Sequence, residues 1–259
     1  MDLGLRRKRA IVCASSAGLG RAVVDALAAE GCQLVINGRD PARLEQAATE
    51  IRRDYAVSVT TVLGSIDDKA VQDAVFDVYP QPDVLITNNG GPPFKVFEAL
   101  TEADFISGFQ SNALVPIMMI QRALPGMRRH RFGRIVNIAS VTVVRPVTGL
   151  DVSATARAGL VAGLRSAALA CAGTNVTINT VLPGRIATRR TLDAIGFDTW
   201  QHASGEDTAD PTKKILATIP AQRLGEPAEF GALVAFLCGQ QAGYITGQMI
   251  SIDGGVSVG

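Results

Sequence analysis

Short runs rich in apolar, β-branched residues alternate with longer amphipathic segments along the whole of this 259-residue chain. The runs at residues 9–13, 33–37, 58–63, 83–87, 134–139, 176–181 and 248–252 read as strands. Helical patterns lie between them at 18–30, 41–55, 67–78, 102–129 (with Pro116 inside), 153–172 and 227–238. The strand segments are almost wholly apolar rather than apolar at every second position, the pattern of a sheet with helices on both faces. The alternation therefore predicts an α/β fold. It would be a single Rossmann-type, doubly wound domain over residues 1–259, with a seven-stranded parallel sheet flanked by helices. No linker, repeat or low-complexity stretch interrupts it. One irregular stretch, 186–220, is polar and rich in Thr and Asp, and a long insertion after a strand's carboxyl end is where a substrate lid belongs.

Composition narrows the setting. Apolar residues make up 47% of the chain and the formal net charge is +1, which suits a large buried core and gives no basis for a nucleic-acid or membrane partner. The basic cluster Arg6-Arg7-Lys8-Arg9 runs straight into the first strand and then into a Ser/Gly turn, so it does not read as a signal peptide. Cys13, Cys32, Cys171 and Cys238 show no Cys-x-x-Cys spacing. They are expected as buried fillers in a reducing, cytoplasmic setting, with no metal site.

The first strand leads into Cys13-Ala14-Ser15-Ser16-Ala17-Gly18-Leu19-Gly20 and then a helix. Glycines there let the backbone approach a pyrophosphate, and the helix's amino end offers free N–H groups and a favourable dipole. The same turn would also serve as a plain strand-to-helix junction. The second strand ends Asn37-Gly38-Arg39. An acid at this point holds the ribose 2′-hydroxyl of NAD, whereas an arginine pairs with the 2′-phosphate of NADP. Arg39 without an acid favours NADP(H) as the cofactor and leaves NAD(H) open; a solvated surface arginine is the other reading.

With these segments in place the chain resembles the short-chain dehydrogenase/reductase family from about residue 9 to 255, and within it the 3-oxoacyl-[acyl-carrier-protein] reductase-like branch. The turn Cys13–Gly20 resembles the family's Thr-Gly-x-x-x-Gly-x-Gly, with Cys13 and Ala14 at its first two positions. Thr87-Asn88-Asn89-Gly90 resembles the block after the fourth strand that lies against the cofactor. The resemblance implies that Asn112 holds a water in a proton relay and that Ser140 hydrogen-bonds a substrate carbonyl. In Pro183-Gly184-Arg185-Ile186-Ala187-Thr188, the Ile186 backbone and Thr188 would bind the nicotinamide carboxamide. Arg223–Pro227, Tyr244–Gln248 and Asp253-Gly254-Gly255 match carboxyl-terminal blocks. The implied cofactor contacts are thus Ala14, Ser15, Ser16, Gly18, Leu19, Gly20, Arg39, Ser65, Ile66, Asn88, Gly90, Arg157, Pro183, Gly184, Ile186 and Thr188. Ser65 stands where the family has an adenine-contacting Asp. The implied assembly is a homo-oligomer, commonly a tetramer built on the helices at 102–129 and 153–172.

One pair departs from the family. Ser153-Ala154-Thr155-Ala156-Arg157 occupies the place of Tyr-x-x-x-Lys, and the spacing from Ser140 needs no gap. A phenol, with an ordinary pKa of about 10, is a serviceable proton donor once a neighbouring cation lowers it; an aliphatic hydroxyl is far weaker and shorter. Arginine keeps the positive charge but not the lysine's capacity to relay a proton. The expected catalytic set is Ser140, Ser153, Arg157 and Asn112, with His202, Glu206 and Asp207 of the lid as alternative acids. Arg145, Arg185, Arg189 and Arg190 face an anionic group or simply water. Arg128, Arg129 and Arg131 lie where related reductases dock an acidic carrier. Two functions follow: an NADP(H)-dependent oxidoreductase for a small-molecule or acyl-thioester carbonyl, or a nucleotide-binding protein without redox turnover, including a non-redox enzyme on the same fold.

Overall fold

The computed structural model describes residues 2–92, 94–194 and 215–258. Most of the predicted lid, with His202, Glu206 and Asp207, lies outside the described residues. The strands are β1 (Arg9–Val12), β2 (Gln33–Gly38), β3 (Val59–Leu63), β4 (Val84–Thr87), β5 (Gly133–Ile138), β6 (Val176–Pro183) and β7 (Met249–Ile252). All pair in parallel in the order β3-β2-β1-β4-β5-β6-β7, as the alternation predicts. Winding reverses between β1 and β4, which opens a crevice at their carboxyl ends.

The helices are α1 (Gly18–Ala29), α2 (Pro41–Tyr55), α3 (Lys69–Val78), α4 (Glu102–Phe109), α5 (Val115–His130), α6 (Asp151–Cys171), α7 (Arg189–Ala194) and α8 (Pro227–Cys238). Successive strand residues feed opposite faces of the sheet. Val12, Leu34, Ile36 and Ile86 join α1, α2 and α8 in one core, while Ile11, Val35, Leu85 and Ile135 join α3, α5 and α6 in the other. That is why the strands carry no polar alternation. The four cysteines are free and buried, as expected. No helix among the described residues is long and apolar enough to cross a membrane.

The segment predicted over 102–129 is helical throughout, but it is not α-helical throughout. Thr101 caps α4 reciprocally with Asp104, but Gln110–Leu114 widens into a π turn before α5 begins. Pro116 lacks the N–H that an α-helix needs, and the wide turn, closed by Val115 N–H donating to Gln110 O, absorbs that loss. The turn packs on α6 and carries Asn112.

Candidate active site

The β1–α1 turn is held by Asn37, which sequence reasoning did not single out, together with Asn88 and Ser15. Asn37, buried at the end of β2, accepts from Ala14 N (3.2 Å) and donates to the carbonyls of Val62 and Gly64 (3.0 Å each). Asn88 Nδ2 donates to Ala14 O at 3.0 Å. Ser15, predicted as a cofactor contact, points into the fold. Its hydroxyl donates to Val12 O and accepts from Asn37 N, so its part is to hold the turn. Ala14 itself sits at φ 45°, left-handed backbone that favours glycine. Gly20 is required by close approach, since a Cβ there would lie 2.4 Å from Ala14 O. Leu19 anchors the helix start in the core. The first turn of α1 receives no side-chain cap from Ala17, unlike α2 and α4, which Asp40 and Thr101 cap. Its N–H groups are left for something else.

The remaining predicted cofactor residues ring this turn. Arg39 is exposed with no partner among the described residues, while Ser16 packs on Gly38. Ser65 contacts Asp67, and Ile66 is buried. Gly90 has open space where a Cβ would stand. On the far side, Pro183 ends β6, Gly184 packs tightly on Asp253, and Ile186 is buried. Thr188 closes the ring, its methyl 3.9 Å from the position a Gly18 Cβ would take.

The predicted catalytic residues come from three elements at the carboxyl side of the sheet. Ser140 follows β5 and its Oγ accepts from Thr142 N at 3.2 Å. Ser153 and Arg157, one turn apart on α6, are 3% and 7% exposed. Arg157 Nη1 donates to Ser153 Oγ. A hydroxyl that accepts from a cation is polarised, and its own hydrogen stays free to donate elsewhere. Burial, with the charge of Arg190, lowers the Arg157 pKa to about 10, so the group is still a cation at neutral pH. Asn112 is 4% exposed; its Nδ2 donates to Gly108 O at 3.3 Å, and its Oδ1 has no partner. A buried acceptor in that state is a place for a water or a ligand donor.

A cavity of about 290 Å³ lies beside Asn112, lined by Gly90, Gly91, Pro92, Lys95, Leu100, Ala103, Asp104, Ser107, Gly108, Ser111, Asn112 and Val152. Lys95 pairs with Asp104 at 2.6 Å. That ammonium, with Thr101, holds the Asp104 carboxyl down at about 2. Arg190 reaches across from α7 and donates to the carbonyls of Gly91 and Pro92 at 3.2 Å each.

Other predicted residues serve the scaffold. Arg145 donates to Val256 O. Arg128 donates to Ala170 O and Cys171, and Arg131 to Gly173 O. Arg134, not foreseen, is almost fully buried, stacks on Phe132 at 4.5 Å and donates to Gly133, Asn175 and Gly239 carbonyls. An arginine inside an apolar strand carries no sequence signal that separates it from a surface charge.

Residues 13–257 match the family model described as enoyl-(acyl carrier protein) reductase. The chain is 30% identical to the 3-oxoacyl-[acyl-carrier-protein] reductase FabG of Aquifex aeolicus, over 99% of this chain and 100% of that one. It is also 30% identical to the NADPH-dependent reductase BacG of Bacillus subtilis, over 97% of this chain and 98% of the relative. Among solved structures, the L-sorbose reductase of Gluconobacter frateurii, complexed with NADPH and L-sorbose, superposes with a TM-score of 0.89. It is 25% identical, with 99% of each chain covered.

Proposed function

The chain belongs to the short-chain dehydrogenase/reductase family, and on that premise we propose that it is an NADP(H)-dependent oxidoreductase interconverting a carbonyl and an alcohol. The observation that carries this reading is the Arg157–Ser153 hydrogen bond, buried on α6, the helix on which the Asn112 turn packs and whose Val152 lines the cavity. The altered pair is kept as a joined polar unit, a buried cation held against the hydroxyl that would give up the proton.

The residues present fit the cofactor. The uncapped first turn of α1 suits a pyrophosphate, and the open space over Gly90 leaves room for the nucleotide. Exposed, unpartnered Arg39, with no acid at Gly38, suits a 2′-phosphate. Relatives named as NADPH-dependent or complexed with NADPH support the same choice. When bound, the nicotinamide supplies a hydride or accepts one. The chain's own groups do the rest. Ser140 positions the carbonyl oxygen. Ser153, polarised by Arg157, passes its proton to that oxygen as the carbon gains the hydride, and a water on Asn112 restores it. Arg157 also holds ribose hydroxyls. The substrate class indicated by the relatives is a small carbonyl compound or an acyl thioester. Exposed apolar residues of α4 and α6, among them Ile106, Phe109 and Leu169, suit a homo-oligomer, and the 186–220 stretch a lid.

The test starts with fluorescence titration of NADPH and NADH, then a carbonyl screen followed by loss of reduced-cofactor absorbance. We expect NADPH to bind more tightly and Ser153→Ala to lower kcat by roughly 10²–10⁴. Binding of neither nucleotide would sink the proposal, and unchanged kcat in Ser153→Ala would remove Ser153 as proton donor. NADPH binding without turnover, converted to turnover by Ser153→Tyr with Arg157→Lys, would instead establish the non-redox reading.

A further inference from the structure

Arg190 ties together two segments that leave the sheet on opposite sides of β5. Gly91 and Pro92 follow β4, while Arg190 stands at the start of α7, just past the Pro183–Thr188 segment that ends β6. In the strand order β5 lies between β4 and β6, so the two segments start about 10 Å apart. The Arg190 bonds to Gly91 O and Pro92 O, each 3.2 Å, close that gap into a hoop at the carboxyl end of β5. One limb of the hoop carries Gly90 and the other Gly184, Ile186 and Thr188, which ring the cofactor site. Asn89 and Lys95 anchor the β4 loop on either side, Asn89 to Asp67 and Ser111 O, Lys95 to Gly149 O and Asp104. Between them, among the described residues, no hydrogen bond but those from Arg190 reaches Gly91 or Pro92. Arg190 is not engaged by its own helix either, where Arg189 pairs with Asp193. Gly91 is shaped to the contact. A Cβ there would lie 2.9 Å from Arg190 Nη2 and 3.2 Å from Cζ and Nη1, so the guanidinium rests on bare backbone. The φ of Gly91 is not left-handed, so Arg190, and not backbone conformation, is what a side chain there would offend.

We propose that Arg190 is a clasp on the nicotinamide end of the dinucleotide. It is a positioning residue that holds the β4 loop against the Pro183–Thr188 segment while the cofactor is seated, and it must let go before the cofactor leaves. The proposal rests on the nucleotide-binding reading of the site. Two charge-assisted bonds from one guanidinium can hold a loop. At an exposed position, with neutral carbonyls as acceptors, they are also weak enough to open within a catalytic cycle. Loop release of this kind sets turnover in many enzymes, so the clasp trades cofactor retention against the speed of exchange.

Stopped-flow displacement of bound NADPH by excess NADP⁺, read by NADPH fluorescence, gives the dissociation rate. Arg190→Met removes the donors, and Gly91→Ala pushes the guanidinium off its acceptors by moving only the end of a flexible side chain. Each is expected to raise the rate at least about fivefold, the loss of a charge-assisted bond, with Tm within error of the parent. The double variant should release NADPH no faster than the faster single variant, because both changes break one contact. Arg190→Lys should keep part of the retention. Effects that multiply in the double variant overturn the clasp. A fast Arg190→Met beside an unchanged Gly91→Ala overturns it too, since Arg190 would then attract the nucleotide's phosphates directly. NADPH that binds the parent but leaves every variant at the parent's rate overturns the clasp alone. A parent that binds no nucleotide overturns the clasp together with the reading beneath it.

Discussion

Placing an acid at Gly38 should turn the nucleotide preference only if Ser16 gives way. A Cβ at Gly38 would stand 2.6 Å from Ser16 Oγ and 2.9 Å from Ser16 Cβ, well inside ordinary contact. The two atoms belong to a short side chain on a turn pinned by Asn37 and Asn88, so neither can retreat far. Overpacking of this kind costs about 1–3 kcal/mol, and in a domain of this size each kcal/mol lowers Tm by roughly 2–4 °C. Gly38→Asp alone is therefore expected to melt early and to bind both nucleotides poorly. Ser16→Gly removes both contacting atoms. The double variant should regain most of the lost Tm, a coupling of about 1–2 kcal/mol. With its carboxylate facing the ribose, it should favour NADH and lose NADPH affinity at least about tenfold through charge repulsion. Thermal unfolding and fluorescence titration of the four proteins of the cycle measure both effects. If Gly38→Asp alone keeps the parent Tm, or the two changes add without coupling, the steric argument fails. If the double variant holds NADPH as tightly as the parent does, the assignment of this corner to the 2′-phosphate fails.

Ala14→Gly should stabilise the fold by about 0.5–1 kcal/mol, because alanine bears the left-handed φ of 45° at a cost that exceeds glycine's extra unfolded-state entropy; urea unfolding reads it. Arg134→Met should destabilise by at least about 3 kcal/mol, since it strips the Gly239 and Asn175 carbonyls of a buried donor, and a Tm within error of the parent would refute that. The Asp104 carboxyl is held below its ordinary 3.8, down to about 2, by Lys95 and Thr101. A depressed carboxylate contributes stability above its unfolded pKa and loses it as pH falls through the folded one. The Tm advantage of the parent over Asp104→Asn should thus be constant at neutral pH and vanish between pH about 4 and about 2.

The strand pattern was legible because both faces of the sheet are buried. Val12 and Ile11 go to opposite cores, and each must be apolar for its own reason. The Gly18–Gly20 turn and the Ser140-to-Ser153 spacing were legible because backbone conformation and helix phase depend on local residue order. What stayed hidden depends on distant partners. Asn37 reads as an ordinary strand-end residue until the β1–α1 turn and the β3 loop close on its two amide atoms. The π turn at Gln110–Leu114 leaves the apolar periodicity almost untouched, so 102–129 reads as one helix.

The Ser153/Arg157 pair shows the division most clearly. Residue order alone determined that a weak aliphatic acid and a permanent cation stand one helical turn apart, because i and i+4 share a helix face whatever surrounds them. Only the tertiary structure decided that the cation is buried and that it donates to the serine. Burial at a site is a property of every element packed around it. The same arginine on a solvated helix face would need no counter-ion.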